Sequence, residues 1–252
     1  LLKELSDSDD FKSAVNQKRH KDRMQNQALV LRFLAFYERT YLKCDKGLKK
    51  FLNEFLDTYR NAGDDKIEEY RKAFGKSVRA SLTIFGNNSF RLKNDKTKLG
   101  SKSVGEWSSR PNAAIFQVIA TSFAQYDLRD LTLAADAIYE EYVDLISTDK
   151  DWVDRVRRAT GETTRLRYSF ETWNSRLSSV MSSNTPRNGE RLFSRNLKKE
   201  MFLSNPVCGI CGQRISLIDD AAMDHDKQYW KGGQTIPENA QLVHRTCNFA
   251  KG

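Results

Sequence analysis

Two short words near the end of the chain, Cys208-Gly209-Ile210-Cys211 and His244-Arg245-Thr246-Cys247, are separated by 32 residues and constrain everything between them. Two residues between the members of each pair let both reach one ion from a tight turn, so the intervening segment must fold back and bring the second pair onto the first. Thiolates and imidazole favour tetrahedral Zn²⁺, and four protein ligands leave no open position for water, so Cys208, Cys211, His244 and Cys247 read as a structural zinc site. The alternative, unrelated buried thiols, leaves the ligand spacing of both pairs unexplained. Four cysteines in all, three of them in the last 45 residues, are too few for a disulfide scaffold. The fourth, Cys44, lies on an amphipathic pattern and reads as a small buried apolar residue.

Upstream the chain is patterned for helices. Leu29, Val30, Phe33, Leu34, Phe36, Tyr37 and Tyr41 recur at three- and four-residue spacing within Gln27 to Tyr41. Leu48, Phe51, Leu52, Phe55, Leu56 and Tyr59 form a second stripe, and Ile67 to Phe85 a third that Asp64 or Asp65 can cap. Gly86 to Asn88 breaks the pattern. Arg91 to Arg110 then holds six basic and two acidic residues with several Gly and Ser, a basic loop that is either a solvated connection or a contact for a phosphate backbone. Periodicity resumes at Asn112, continues through Leu131, Ile138, Tyr142 and Leu145, and includes a long element from Glu162 to Met181. The run from Ser182 to Gly189, with Pro186, cannot hold a helix and marks a boundary. The expected organisation is a helical domain over 1–182, a linker and lead-in helix over 183–200, and a compact module over 201–252. The fold class is mainly α: a multi-helical domain followed by a small zinc-stabilised module. The polar, capless opening at Leu1 suggests a cut through a longer protein.

Lys and Arg number 42 against 33 Asp and Glu, a net charge of +9, which favours a polyanionic partner, most often nucleic acid. No window approaches the roughly 18–20 consecutive apolar residues of a membrane span, and the start lacks a signal peptide's layout, so a cytoplasmic location without membrane contact is expected.

Between the two metal words lie Met223-Asp224-His225, Lys231-Gly232-Gly233 and Glu238-Asn239-Ala240-Gln241-Leu242-Val243, followed by Cys247-Asn248-Phe249-Ala250-Lys251. A short strand ending at Asp224-His225, a Gly-Gly turn, a second strand through Leu242 and a helix opened by Asn248 make a ββα unit. This pattern of CxxC, DH, GG, N, two further zinc ligands and Asn-x-x-Lys resembles the HNH, or ββα-metal, nucleases over about 45 residues. The resemblance implies a metal-dependent phosphodiesterase, and the residue types agree. Asp224 and Asn248 offer hard oxygen ligands for Mg²⁺ or Mn²⁺. His225, with an unperturbed pKa of about 6.5, can take a proton from an attacking water near neutrality. Lys251, three residues beyond Asn248 on the same helical face, can contact a phosphate. Asn239 matches the family's central Asn, whose amide ties the inter-strand loop and holds the base. Lys227, Lys231 and Arg245 surround the site as nucleic-acid contacts, and Arg155, Arg157, Arg158, Arg165 and Arg167 extend that footprint.

One geometric demand follows from strand alternation: Asp224 and His225 serve a single site only if the strand ends or distorts there. The family usually follows DH with an apolar residue and a Pro, where this chain has Asp226-Lys227-Gln228.

The helical portion is similar, through Leu29 to Leu34, Lys49 to Asn53, Phe85 to Arg91 and Asn112 to Phe116, to the helical half of GmrSD-type bacterial restriction proteins. That likeness implies a bacterial restriction or antiviral role and an upstream nucleotide-sensing domain as partner. The leading expectation is a DNA endonuclease. Its rival is a non-catalytic zinc-knuckle nucleic-acid-binding module. In a third reading, compatible with either, partly exposed Phe- and Tyr-rich stripes mediate assembly with a partner or a second copy.

Overall fold

A helix of mostly apolar residues, buried on every side, forms the centre of the molecule. The computed structural model describes residues 1–15, 23–93, 107–158, 161–182, 193–228 and 233–251. Helices α1 (Leu2–Ser6), α2 (Asp9–Val15), α3 (Arg23–Arg39), α4 (Leu48–Tyr59) and α5 (Asp64–Phe85) precede this central helix, α6 (Ala113–Phe123). Helices α7 (Leu128–Leu133), α8 (Ala135–Thr148), α9 (Lys150–Arg157) and α10 (Thr163–Ser182) follow it. Every residue of α6 from Ala114 to Phe123 is buried, and α3, α5, α9 and α10 pack around it. Asn112 starts it: the side-chain oxygen accepts from the N–H groups of Ala114 (2.8 Å) and Ile115 (3.0 Å), satisfying two donors with no partner inside the helix.

The aromatic stripes face inward. Phe33, Phe36, Phe51, Phe74, Phe116 and Phe170 are at most 2 % exposed and interlock ring against ring. Most of the stripes' phenylalanines are thus consumed inside one chain, while Tyr37, Tyr41, Leu52 and Tyr59 at their edges stay half-buried. The opening segment forms α1 and α2, and Phe11 is fully buried against Phe74 and Phe116. Only the two ends of the basic stretch, 91–93 and 107–110, are described. Residues 94–106 lie outside the described part, but Arg91 at its start is buried, donating to the carbonyls of Asn87 (2.9 Å), Ser108 (2.8 Å) and Val15 (3.0 Å). It is a structural tie rather than a phosphate contact. The polar run over 183–190 falls outside the described residues too.

Toward the C-terminus, Ser194 caps α11 (Arg195–Ser204) by accepting from the Leu197 N–H at 3.1 Å. An antiparallel bridge between Val207 and Arg214 closes the first cysteine turn. Strands β1 (Ala221–His225) and β2 (Ala240–His244) then pair antiparallel, with Asp224 opposite Gln241 and His225 opposite Ala240, and α12 (Arg245–Lys251) follows directly. That helix begins three residues before Asn248, earlier than the sequence suggests, so Cys247, Asn248 and Lys251 all ride on it. Cys208, Ile215, Ala221, Ala222, Leu242 and Val243 form a small core of their own, apart from the large one. The molecule is thus mainly helical, with one two-stranded sheet near its C-terminus among the described residues.

Candidate functional site

Local hydrogen bonds shape the first cysteine turn: the Gly212 N–H donates to the Cys208 carbonyl (2.8 Å) and the Cys208 N–H to Gln213 (2.9 Å). The hairpin delivers the second pair, since β2 ends at His244 and the Gly209 N–H donates to the Leu242 carbonyl at 2.8 Å, stitching the turn to the strand. The donor atoms of Cys208, Cys211, His244 and Cys247 all lie within 4.8 Å of one another. His244 Nδ1 is 3.4 Å from Cys211 Sγ and 3.9 Å from Cys247 Sγ. Zn–S and Zn–N bonds of ~2.3 and ~2.0 Å give tetrahedral S···N edges of about 3.5 Å, so this Cys₃His cluster has the size and donor chemistry to hold zinc.

The thiols are already differentiated. Burial pushes Cys208 up, but backbone N–H groups of Cys211, His244 and Ile210 more than offset it and bring it down to about 6. Burial raises Cys247 to about 11, reinforced by the neighbouring thiols of Cys211 and Cys208. The same two sulfurs raise the His244 imidazole. One sulfur is thus set up to be ionised near neutrality, as a metal ligand must be. Cys44, by contrast, is buried in the helical core and its thiol is raised by that burial.

A few residues away, Asp224 Oδ2 receives two nitrogen donors, Lys251 Nζ at 2.7 Å and Gln241 Nε2 at 3.0 Å. Lys251 also donates to the His225 carbonyl at 3.1 Å. Gln241 stands directly across the hairpin from Asp224, a neighbour that only the strand pairing supplies. His225 is 5 % exposed, with Nε2 2.9 Å from Thr235 Oγ1 and its ring 4.5 Å from that of Phe193. Thr235 and Phe193 carried no sequence signal, since only the tertiary fold brings them to the ring. The pairing register runs unbroken through Asp224 and His225, and the strand stops at His225. Asp224 and Lys251 are therefore brought together, while the imidazole is held by a different set of neighbours. Asn248 lies on α12 between Cys247 and Lys251, partly buried.

Asn239 organises the loop. Its Oδ1 accepts from the Lys227 N–H (2.8 Å), and its Nδ2 donates to the carbonyls of Lys227 (3.1 Å) and Gln234 (2.8 Å). Of the proposed phosphate contacts, Lys227 is exposed, Arg245 is ion-paired to Asp136 at 2.6 Å, and Lys231 lies outside the described residues. In the wider footprint Arg165 pairs with Asp154 and Glu162, Arg158 pairs with Asp154, Arg155 stacks on Tyr168 and Arg157 donates to Lys93, whereas Arg167 is exposed.

Residues 208–252 match the family model described as HNH endonuclease. No curated protein and no solved structure matches the chain. The HNH match covers the Cys₃His cluster, Asp224, His225, Asn239, Asn248 and Lys251, and it points to nuclease or nucleic-acid-binding activity in this part of the molecule. No helix among the described residues is long and apolar enough to cross a membrane.

Proposed function

We propose that this chain is a metal-dependent DNA endonuclease that hydrolyses phosphodiester bonds in bacterial restriction or anti-phage defence. A single observation carries the reading: within the HNH match, a largely shielded carboxylate, Asp224, lies against the cationic end of Lys251 on the same short helix that bears Asn248 and the zinc-type ligand Cys247. A carboxylate that already gathers positive charge suits a hard divalent ion, and Asp224, with Asn248 from the helix that also bears Lys251, are the residues that would hold Mg²⁺ or Mn²⁺. When bound, that ion polarises the phosphate and stabilises the charge that builds on its oxygens. Lys251 supplies an ammonium for the same phosphate once it leaves Asp224. His225 serves as base, its imidazole taking the proton of the attacking water while the contact between Nε2 and Thr235 Oγ1 (2.9 Å) orients the ring. Asn239 keeps the loop beyond His225 in register, and exposed Lys227 adds a sequence-independent phosphate contact.

A second reading has its own support. The Lys251–Asp224 pair and the His225–Thr235 contact also suit a non-catalytic module that binds nucleic acid and uses these polar groups only to hold its shape.

Plasmid cleavage separates the two. Purified protein with Mg²⁺ or Mn²⁺ is expected to nick or cut, and His225→Ala, with its zinc content unchanged, to cut about 100-fold slower or worse. Retardation of DNA without cleavage in either ion, or cleavage untouched by His225→Ala, overturns the nuclease assignment.

A further inference from the structure

Helix α12 has two covered faces separated by an exposed stripe. At about 100° per residue, Cys247, Asn248 and Lys251 fall on one side, and Arg245 and Phe249, four apart, on the other. Thr246 and Ala250, in the stripe between, are exposed. The first face belongs to the metal cluster and Asp224. The second is seated on the helical body.

That seat is specific. Gly86, where the chain leaves α5, has φ +53, and a Cβ there would come within 2.6 Å of Phe249 Cδ2, so the ring occupies the space a side chain would take. Asn88 Nδ2 donates to the Phe249 carbonyl at 2.6 Å, satisfying one of the acceptors that the last turn of a helix leaves without a partner. The Tyr139 ring is 5.6 Å from that of Phe249. One helical turn earlier on α8, Asp136 accepts from Arg245 (2.6 Å) and pairs with Lys198 of α11 (3.4 Å), joining both helices that flank the hairpin. The Arg245 and Lys198 side chains are 18 % and 16 % exposed and the shared Asp136 carboxylate 42 %, so solvent screens the pairs in part and their geometry, two helices tied to one carboxylate, is what positions α12.

We infer that Asp136 and Asn88 of the helical body are positioning residues for the nuclease centre, fixing the axis of α12 and with it Asn248 and Lys251. This inference rests on the nuclease reading above. It makes the helical body a working part of the centre rather than a tether, because a rotation of α12 of a few degrees moves both groups relative to Asp224.

The test uses the whole 252-residue chain with zinc content matched across Asp136→Ala, Asn88→Ala and Asp136→Glu. Amide hydrogen exchange without added Mg²⁺ or Mn²⁺ should speed up over residues 240–251 in the two alanine variants while α5 and α6 stay as protected as in wild type. Mn²⁺ affinity should fall about tenfold, as for the outer partners of metal centres. The cleavage rate constant should fall with it, with KM for DNA little changed and with Asp136→Glu recovering most of the loss. Asn88→Ala keeps the test sharp if Asp136→Ala folds poorly. Wild-type cleavage and Mn²⁺ binding that both alanine variants match within twofold would overturn the positioning role alone. A wild type that neither binds Mn²⁺ nor cuts would overturn the nuclease reading and this inference with it.

Discussion

Trp152 and Trp173 are both fully buried, yet their indole N–H groups differ in circumstance. Trp152 Nε1 donates to the Ser169 carbonyl at 3.1 Å, whereas Trp173 Nε1 has no acceptor among the described residues. Replacing either by Phe removes ring volume and leaves a similar void. The polar term has opposite sign at the two positions: Trp152→Phe gives up a made hydrogen bond, while Trp173→Phe discards a donor already stripped of water without return. Trp152→Phe is therefore expected to be the more destabilising by about 2 kcal/mol. Urea unfolding of the two variants measures it, and equal losses would show that the Trp173 environment is more polar than its neighbours suggest.

Among the elements, the loop that joins β1 to β2 depends on one side chain and one missing side chain. Asn239 binds Lys227 and Gln234 through three hydrogen bonds, and Gly233 lies so close that a Cβ would collide with the Lys227 carbonyl oxygen and stand 2.9 Å from Asn239 Nδ2. Gly233→Ala must push the Lys227 peptide away and break the same bonds that Asn239→Ala deletes. Both substitutions should remove exchange protection of the Lys227 amide and slow cleavage, and the double variant should be no worse than the poorer single one, the signature of a shared interaction. Additive losses would separate the glycine from the amide. This loop also shows what sequence conveys. The metal pairs are legible because ligand spacing is local, and the stripe from Leu48 to Tyr59 coincides with α4 because Gly47 and an uninterrupted 3.6-residue period bound it. Helices α1 and α2 escape notice because each is under eight residues, too short to show a period, and both are held by packing on α3 and α5. The partners of Asp224 and His225 escape for a related reason: Gln241, Thr235 and Phe193 are ordinary residues until pairing and folding bring them near. Arg245 is the sharpest case. Its basic character beside the Cys₃His cluster suggests a phosphate, but the fold supplies a carboxylate from 109 positions earlier.

Across the whole molecule, two apolar cores of very different size share one chain. The helical core contains most of the buried aromatics, whereas six residues, two of them alanines adjacent in β1 and one a cysteine of the metal cluster, make up the other. So small a core supplies little hydrophobic stabilisation, and folding of such units is usually coupled to metal binding. Their main apolar link is Phe249, packed on the large core from the end of α12. Zinc removal should therefore act on one part only. A chelator strong enough to take the cluster's ion is expected to expose the amides of β1, β2 and α12 to rapid exchange while α5, α6 and α10 keep their protection and the far-ultraviolet helical signal falls only slightly. If zinc binds only the folded cluster, the stability of that part should rise with free zinc by RT ln(1 + [Zn]/Kd), and that of the helical core should not. Loss of all protection in one step on chelation would mean that the two cores fold as a single unit and that the Phe249 and Asp136 contacts transmit more than position.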